Sequence, residues 1–185
     1  SEVECSLAGP SRPHDRFARN DARSRFNAIC ADRKLDMDKR VAVNFMGTEY
    51  ELTHGAIAIA AVTSCTTATD PAMMLACGLV AKHARERGLL AKPWVKRVMA
   101  PGSHATQLML ERAGLAQPLA ELGFATCGFG CMSCIGNSGP VWPEMHEIAG
   151  DIELTSVLSG NRNFDGRISP DVSQNILCAP ASVVA

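Results

Sequence analysis

The sequence lacks the features of a membrane, secreted or repetitive protein. No apolar stretch reaches the about 18 residues that a membrane-spanning helix needs, because Lys82 and neighbouring charges interrupt the best candidate. The first residues are acidic, so we expect no signal peptide. No internal repeat or low-complexity tract occurs. We therefore expect a cytoplasmic globular protein without a membrane partner.

The sequence also lacks an excess of charge of either sign. It has 18 Lys and Arg against 19 Asp and Glu, which gives a net charge of −1. Such a balance does not favour binding to nucleic acid or to a membrane surface. With 185 residues, of which 46% are hydrophobic, the chain can form one domain with a buried core.

Cysteine is abundant but irregularly spaced, with eight residues in the chain. A disulfide scaffold is normally shorter and has fewer core residues, so we expect core thiols together with metal-binding thiols. Cys77 lies among apolar residues of a predicted helix, and Cys127 at the end of a predicted strand, so both are expected to pack inside. Cys5, Cys30 and Cys178 have no partner motif.

A glycine-rich loop at residues 127–140 contains Cys131 and Cys134 in a Cys-x-x-Cys arrangement. Glycine allows positive φ angles and a close approach of backbone amides, so such a loop can surround a compact ligand. Cys65, in a second loop, offers a third thiol. We interpret the three thiols as ligands of an iron–sulfur cluster. A redox dithiol, or a zinc site with Cys127 as fourth ligand, is also compatible with the motif alone.

Strand, loop and helix signals alternate along the chain, which predicts an α/β fold with a three-layer α/β/α arrangement and a mainly parallel sheet. The apolar run 56–62 predicts a strand covered on both faces. Asp70 and Pro71 predict a helix start, and this helix should end at Gly88. Further strands are predicted at 41–45, 50–52, 94–100, 124–127 and 152–158, and further helices at 21–31, 104–113 and 118–123.

The predicted domain organisation is an N-terminal linker arm at 1–40, rich in Pro and Arg, followed by an α/β domain at 41–185. Three loops with chemically reactive side chains follow the carboxyl ends of predicted strands. They contain Cys65, the Cys-x-x-Cys pair, and the arginines Arg162 and Arg167. Ligands of open α/β sheets bind at that edge, so we expect the three loops to converge there. For the two arginines alone, a solvated surface position is the ordinary alternative.

The motifs together resemble those of the aconitase family. The resemblance extends over most of the chain, in segments 6–10, 61–66, 92–96, 100–103, 128–140 and 159–167. It implies that Cys65, Cys131 and Cys134 ligate a [4Fe–4S] cluster and that Arg162 and Arg167 bind substrate carboxylates. Three thiolates leave one iron of the cluster without a protein ligand, and that iron can act as a Lewis acid.

The implied function is that of a hydro-lyase, which isomerises citrate and isocitrate through cis-aconitate. Thr67 stands where the family pattern has Asn, so related dehydratases that act on methylcitrate, homoaconitate or isopropylmalate are alternatives. A different class of function is RNA binding by a cluster-free protein, as in some cytosolic relatives. That function would favour a basic cleft, and the net charge of −1 gives it no support.

The resemblance further implies a part of a larger enzyme, corresponding to its third domain. The family's catalytic His–Asp pairs and serine base belong to other domains, so no catalytic residue is assigned to this chain. We expect its partners to be the remaining domains and a small tricarboxylate substrate, and the isolated chain to be inactive. The apolar last residues carry no stop signal, which we interpret as a cut from a longer polypeptide.

Overall fold

The structure is a computed structural model, and it describes residues 4–64, 70–161, 164 and 166–185. The strands are β1 (Ser6–Ala8), β2 (Arg16–Ala18), β3 (Val41–Phe45), β4 (Thr48–Leu52), β5 (Ile57–Thr63), β6 (Lys96–Ala100), β7 (Leu154–Leu158) and β8 (Val172–Leu177). The helices are α1 (Ala22–Asp32), α2 (Pro71–Glu86), α3 (His104–Arg112), α4 (Ala116–Glu121), α5 (Pro143–Glu147) and α6 (Pro180–Val184).

Six strands form the main sheet, in the order β2-β1-β8-β7-β5-β6. The four strands β8, β7, β5 and β6 are parallel, whereas β1 pairs antiparallel with β8 and β2 antiparallel with β1. Strands β3 and β4 form a separate hairpin. The predicted α/β class with a mainly parallel sheet is confirmed.

Each face of the sheet has its own hydrophobic core. On one face, Val62 of β5 packs with residues of α2, α3, α4 and α6. On the other face, Leu158 of β7 packs with the hairpin, with α5 and with Cys134 of the glycine-rich loop. The central strand β5 is buried from Ala58 to Thr63, as expected of a strand covered on both sides.

Helix α2 has the boundaries that its sequence predicts. The Asp70 carboxylate accepts a hydrogen bond from the backbone N–H of Ala72 at 2.9 Å, and Pro71 occupies the first helical position. Gly88 follows the last turn with a φ angle of +67°. The capping side chain and the glycine therefore define both ends of the helix. No helix among the described residues is long and apolar enough to cross a membrane.

Other segments differ from the predictions. Within the predicted linker arm, β1 joins the main sheet through the pair Ala8 and Leu177, whereas α1 agrees with the predicted helix at 21–31. The predicted strand 124–127 is wrong, since its one pairing is an isolated bridge between Thr126 and Met99. Cys127 is exposed, so its expected interior position is wrong too. Strand β8 and the short helices α5 and α6 were not predicted.

Candidate functional site

The carboxyl ends of the central strands meet the glycine-rich loop. At the end of β5, the Thr63 hydroxyl donates to the carbonyl oxygen of Gly130 at 3.1 Å. After β6, the Pro101 carbonyl accepts from the Gly130 N–H at 2.8 Å. After β7, the Ser159 hydroxyl accepts from the Thr63 N–H at 3.0 Å and donates to the Thr63 carbonyl at 2.9 Å. The described parts of the three loops therefore converge at one sheet edge.

The two loop cysteines differ in accessibility. Cys131 is exposed, whereas Cys134 is 5% exposed and lies in a 3₁₀ turn formed by Ser133–Ile135. Gly136 follows the turn in the left-handed conformation, with a φ angle of +78°. A Cβ atom there would lie 2.6 Å from the carbonyl oxygen of Arg167. This position therefore needs glycine for both its φ angle and its close backbone contact.

The thiol of Cys134 lies against Gly160, just after β7. A Cβ atom at position 160 would overlap the Cys134 Sγ and would lie 3.4 Å from Cγ2 of Thr63. Thr63 stands two residues before Cys65. The thiol of Cys134, the loop after β7 and the chain that leads into Cys65 are thus in mutual proximity.

Arg167 contacts the same loop from the other side. Its Nε atom donates to the carbonyl oxygen of Cys134 at 2.7 Å, and its side chain is partly buried. None of the ion pairs found among the described residues involves Arg167. Within the described residues, its terminal amino groups thus have no carboxylate partner, and a guanidinium can bind a carboxylate with two parallel hydrogen bonds.

Cys65, Thr67 and Arg162 lie outside the described residues. Within the part of the chain that the structure describes, no group of three or more His, Cys, Asp or Glu side chains could hold a metal ion. The set of three cysteines and the pairing of Arg162 with Arg167 therefore stay predictions.

The described residues fit an iron–sulfur group. Ser133 is fully buried between the two loop cysteines, and its hydroxyl has no hydrogen-bond partner among the described residues. Burying an unsatisfied hydroxyl costs about 1–3 kcal/mol, which a ligand with acceptor atoms would offset. The thiols of Cys131 and Cys134 are soft ligands of the kind that bind such clusters.

A cation lies near the exposed thiol of Cys127. Lys96 donates from Nζ to the carbonyl oxygen of Pro140 at 2.6 Å. Burial lowers the pKa of Lys96, and its electrostatic interaction with Cys127 acts in the opposite direction. The Cys127 thiol also contacts the Met99 carbonyl at 3.3 Å. Its exposed thiol makes Cys127 the candidate fourth ligand of the alternative zinc site.

The sequence interpretation missed the supporting roles of Thr63, Ser159 and Gly160. All three lie at the carboxyl end of β5 or just after β7, where small and hydroxyl residues follow apolar runs. The sequence signal that could have identified them is their place directly at or after the end of an apolar strand. Their contacts with one another and with Cys134 join parts of the chain that are far apart in sequence.

Comparison with known proteins places these features in a family. Residues 1–185 match the model of the aconitase family (aconitate hydratase). Aconitate hydratase A of Deinococcus radiodurans is 49% identical over 97% of this chain, and that of Thermus thermophilus is 44% identical over the whole chain. The chain spans 21% and 22% of these two relatives, respectively. By the family match over its full length, the chain belongs to the aconitase family.

Proposed function

We propose that this chain is the cluster-binding part of an aconitate hydratase that isomerises citrate and isocitrate through cis-aconitate. Cys65, Cys131 and Cys134 would hold a [4Fe–4S] cluster at the sheet edge. The observation that carries the proposal is the packing of the Cys134 thiol against Gly160, whose other neighbour is Thr63, because it brings the Cys-x-x-Cys loop close to the chain segment that enters Cys65.

A bound cluster would supply a Lewis-acidic iron that weakens the bond to the substrate hydroxyl. The protein's own contribution is the shape and polarity of the site. Gly160 leaves space for the Cys134 thiol, and the Thr63 hydroxyl holds the main chain of the glycine-rich loop at Gly130. These contacts hold the loop on the sheet.

Arg162 and Arg167 would bind carboxylates of the substrate. Arg167 supports this role because it is partly buried near the proposed cluster ligands and its described neighbours include no ion-pair partner. A guanidinium fork matches the planar carboxylate group. A citrate-like molecule carries three such groups, so further cationic side chains from other parts of the enzyme would complete the site.

The proposed partners are the remaining domains of a larger enzyme, because the relatives named aconitate hydratase A are about five times as long as this chain. These domains would carry the acid–base residues, and we propose no catalytic residue in this chain. Since these relatives are aconitate hydratases by name, they favour aconitate over the methylcitrate, homoaconitate and isopropylmalate types as the substrate class.

Anaerobic reconstitution with iron and sulfide tests the metal site. The wild-type chain should take up about four irons and develop the broad visible absorbance of a [4Fe–4S] cluster. Replacing Cys65, Cys131 or Cys134 by Ser should each abolish a stable cluster. Cys5→Ser is the matched control, since Cys5 is exposed and lies outside the site.

Cys127→Ser distinguishes a cluster from the alternative zinc site. The cluster proposal expects normal iron and sulfide uptake in this variant. A chain that binds one zinc with no sulfide, and that loses the zinc in Cys127→Ser, would contradict the proposal.

A further inference from the structure

The guanidinium of Arg167 forms a hydrogen bond with the main chain of Cys134, a proposed cluster ligand. Its Nε atom donates to the carbonyl oxygen of Cys134 at 2.7 Å, across 33 positions of sequence. The Nε–H bond lies in the plane of a rigid guanidinium, so its direction is fixed by the arginine side chain. The contact therefore constrains both the position and the orientation of the Cys134 peptide group.

Two carbonyl groups just before Cys134 accept hydrogen bonds from within the loop. Met132 O accepts from the N–H of Asn137 at 2.9 Å, and Ser133 O accepts from the N–H of Gly136 at 3.1 Å. The carbonyl of Cys134 instead accepts from Arg167. Local hydrogen bonds thus close the turn, and Arg167 attaches it to the segment after β7.

A second contact joins the same two segments. Gly136 approaches Arg167 so closely that a Cβ atom would lie 2.6 Å from the Arg167 carbonyl oxygen. Arg167 is therefore held next to the turn by its main chain as well as by its Nε atom. This double contact leaves the arginine little freedom to swing away from Cys134.

Nε and the terminal amino groups of Arg167 can serve two different partners at once. Nε is occupied by Cys134, while the ion pairs among the described residues leave Nη1 and Nη2 without a carboxylate partner. A carboxylate that binds Nη1 and Nη2 would not compete with the contact to the loop.

We infer that Arg167 is a positioning residue that orients Cys134 for cluster binding, independently of any contact with substrate. The inference rests on the proposed function, since it needs a cluster on Cys134. Lysine would keep the positive charge but has no guanidinium Nε–H group. Arg167→Lys should therefore remove the hydrogen bond to the Cys134 carbonyl. Groups that orient a metal ligand typically change metal affinity by about 10–100-fold.

The test measures iron loss from the anaerobically reconstituted chain to an excess of chelator, with no carboxylic acid present. Arg167→Lys is compared with wild type and with Arg97→Lys. Arg97 is the matched control, since it also donates to a backbone carbonyl, that of Lys92 at 2.9 Å, away from the loop. Thermal unfolding of the metal-free proteins is measured in parallel.

The inference expects Arg167→Lys to lose iron at least about tenfold faster than wild type and Arg97→Lys, with an unchanged metal-free melting temperature. Equal rates of iron loss would overturn the inference and leave the proposed function intact. A metal-free Arg167→Lys protein that melts well below Arg97→Lys would also overturn it, because the contact would then serve general stability. A wild-type chain that assembles no cluster would overturn both proposals.

Discussion

The Sγ atom of Cys134 occupies the space in which a side chain at position 160 would lie. Cys134 comes from the glycine-rich loop and Gly160 from the chain just after β7, so the contact joins two loops at the same sheet edge. The buried thiol thus fills the space beside the Cα atom of Gly160. This packing holds Cys134, a proposed cluster ligand, against the end of β7.

Gly160→Ala should therefore impair cluster assembly. The new methyl group overlaps the Cys134 thiol, which must rotate or shift, and an interior packed this closely has little room for it. Gly150→Ala is the control, because a Cβ atom there meets nothing within 4 Å. Iron content after anaerobic reconstitution should be far lower in Gly160→Ala than in Gly150→Ala. Equal iron content in the two variants would show that this contact is unimportant for assembly.

Thr63→Val should destabilise the metal-free chain by about 1–2 kcal/mol, since Gly130 loses its hydrogen-bond donor in a buried place. Thr126→Val is the matched control, because the Thr126 hydroxyl bonds to Gln107 at an exposed position. Urea unfolding gives the two free energies of unfolding. A loss in Thr63→Val no larger than in Thr126→Val would mean that the hydroxyl contributes little to holding the loop.

Asp70→Ala should lower the free energy of unfolding by about 1 kcal/mol, since it removes the side-chain cap on the Ala72 N–H. Ser103→Ala should have little effect, because Ser103 precedes α3 without a side-chain capping hydrogen bond. Urea denaturation of both variants makes the comparison. The role given to Asp70 would be wrong if the two substitutions had the same effect.

Cys77 should make the chain less stable at alkaline pH. Burial raises the pKa of Cys77 from 9.0 to about 12. Between these values the unfolded chain has lost the thiol proton while the folded chain retains it. Above pH 9, the Cys77 thiol therefore lowers the free energy of unfolding by up to about 1.4 kcal/mol per pH unit. Below pH 9, this group does not change the free energy of unfolding.

The pH dependence of urea unfolding measures this effect. Cys77→Ala should reduce the downward slope between about pH 9.5 and 11.5, whereas Ser103→Ala, which removes no thiol, should leave it unchanged. The comparison uses slopes because the loss of a buried sulfur lowers stability at every pH. A slope that is the same in wild type and Cys77→Ala would contradict the assignment.

Local sequence signals predict the elements that depend on neighbouring residues. Asp70, Pro71 and Gly88 mark the ends of α2, and the apolar run of β5 identifies the buried central strand. Strand β8 was missed because Gln174 and Asn175 are polar yet almost fully buried. Their side chains bond to Glu153 and Ser156, and such long-range pairing has no local signal.

The site was predictable as far as its residue types were concerned. The Cys-x-x-Cys spacing and the glycine content of the loop identify Cys131 and Cys134 as candidates from sequence. Cys127 was misplaced because a predicted strand ends there, whereas the structure has an isolated bridge at Thr126 and an exposed thiol. The hydrogen bond from Arg167 Nε to the Cys134 carbonyl depends on the folded arrangement of two loops, so no sequence pattern predicts it.

Thiol labelling of the cluster-loaded wild-type chain, read out by peptide mass spectrometry, tests the central claim most directly. In the structure Cys131 is exposed and Cys134 is buried, so Cys65, Cys127 and Cys131 are the informative positions. The proposed ligand set predicts that cluster loading protects Cys65 and Cys131 while Cys127 and Cys5 stay reactive. Protection of Cys127 together with Cys131, with Cys65 still labelled, would contradict it.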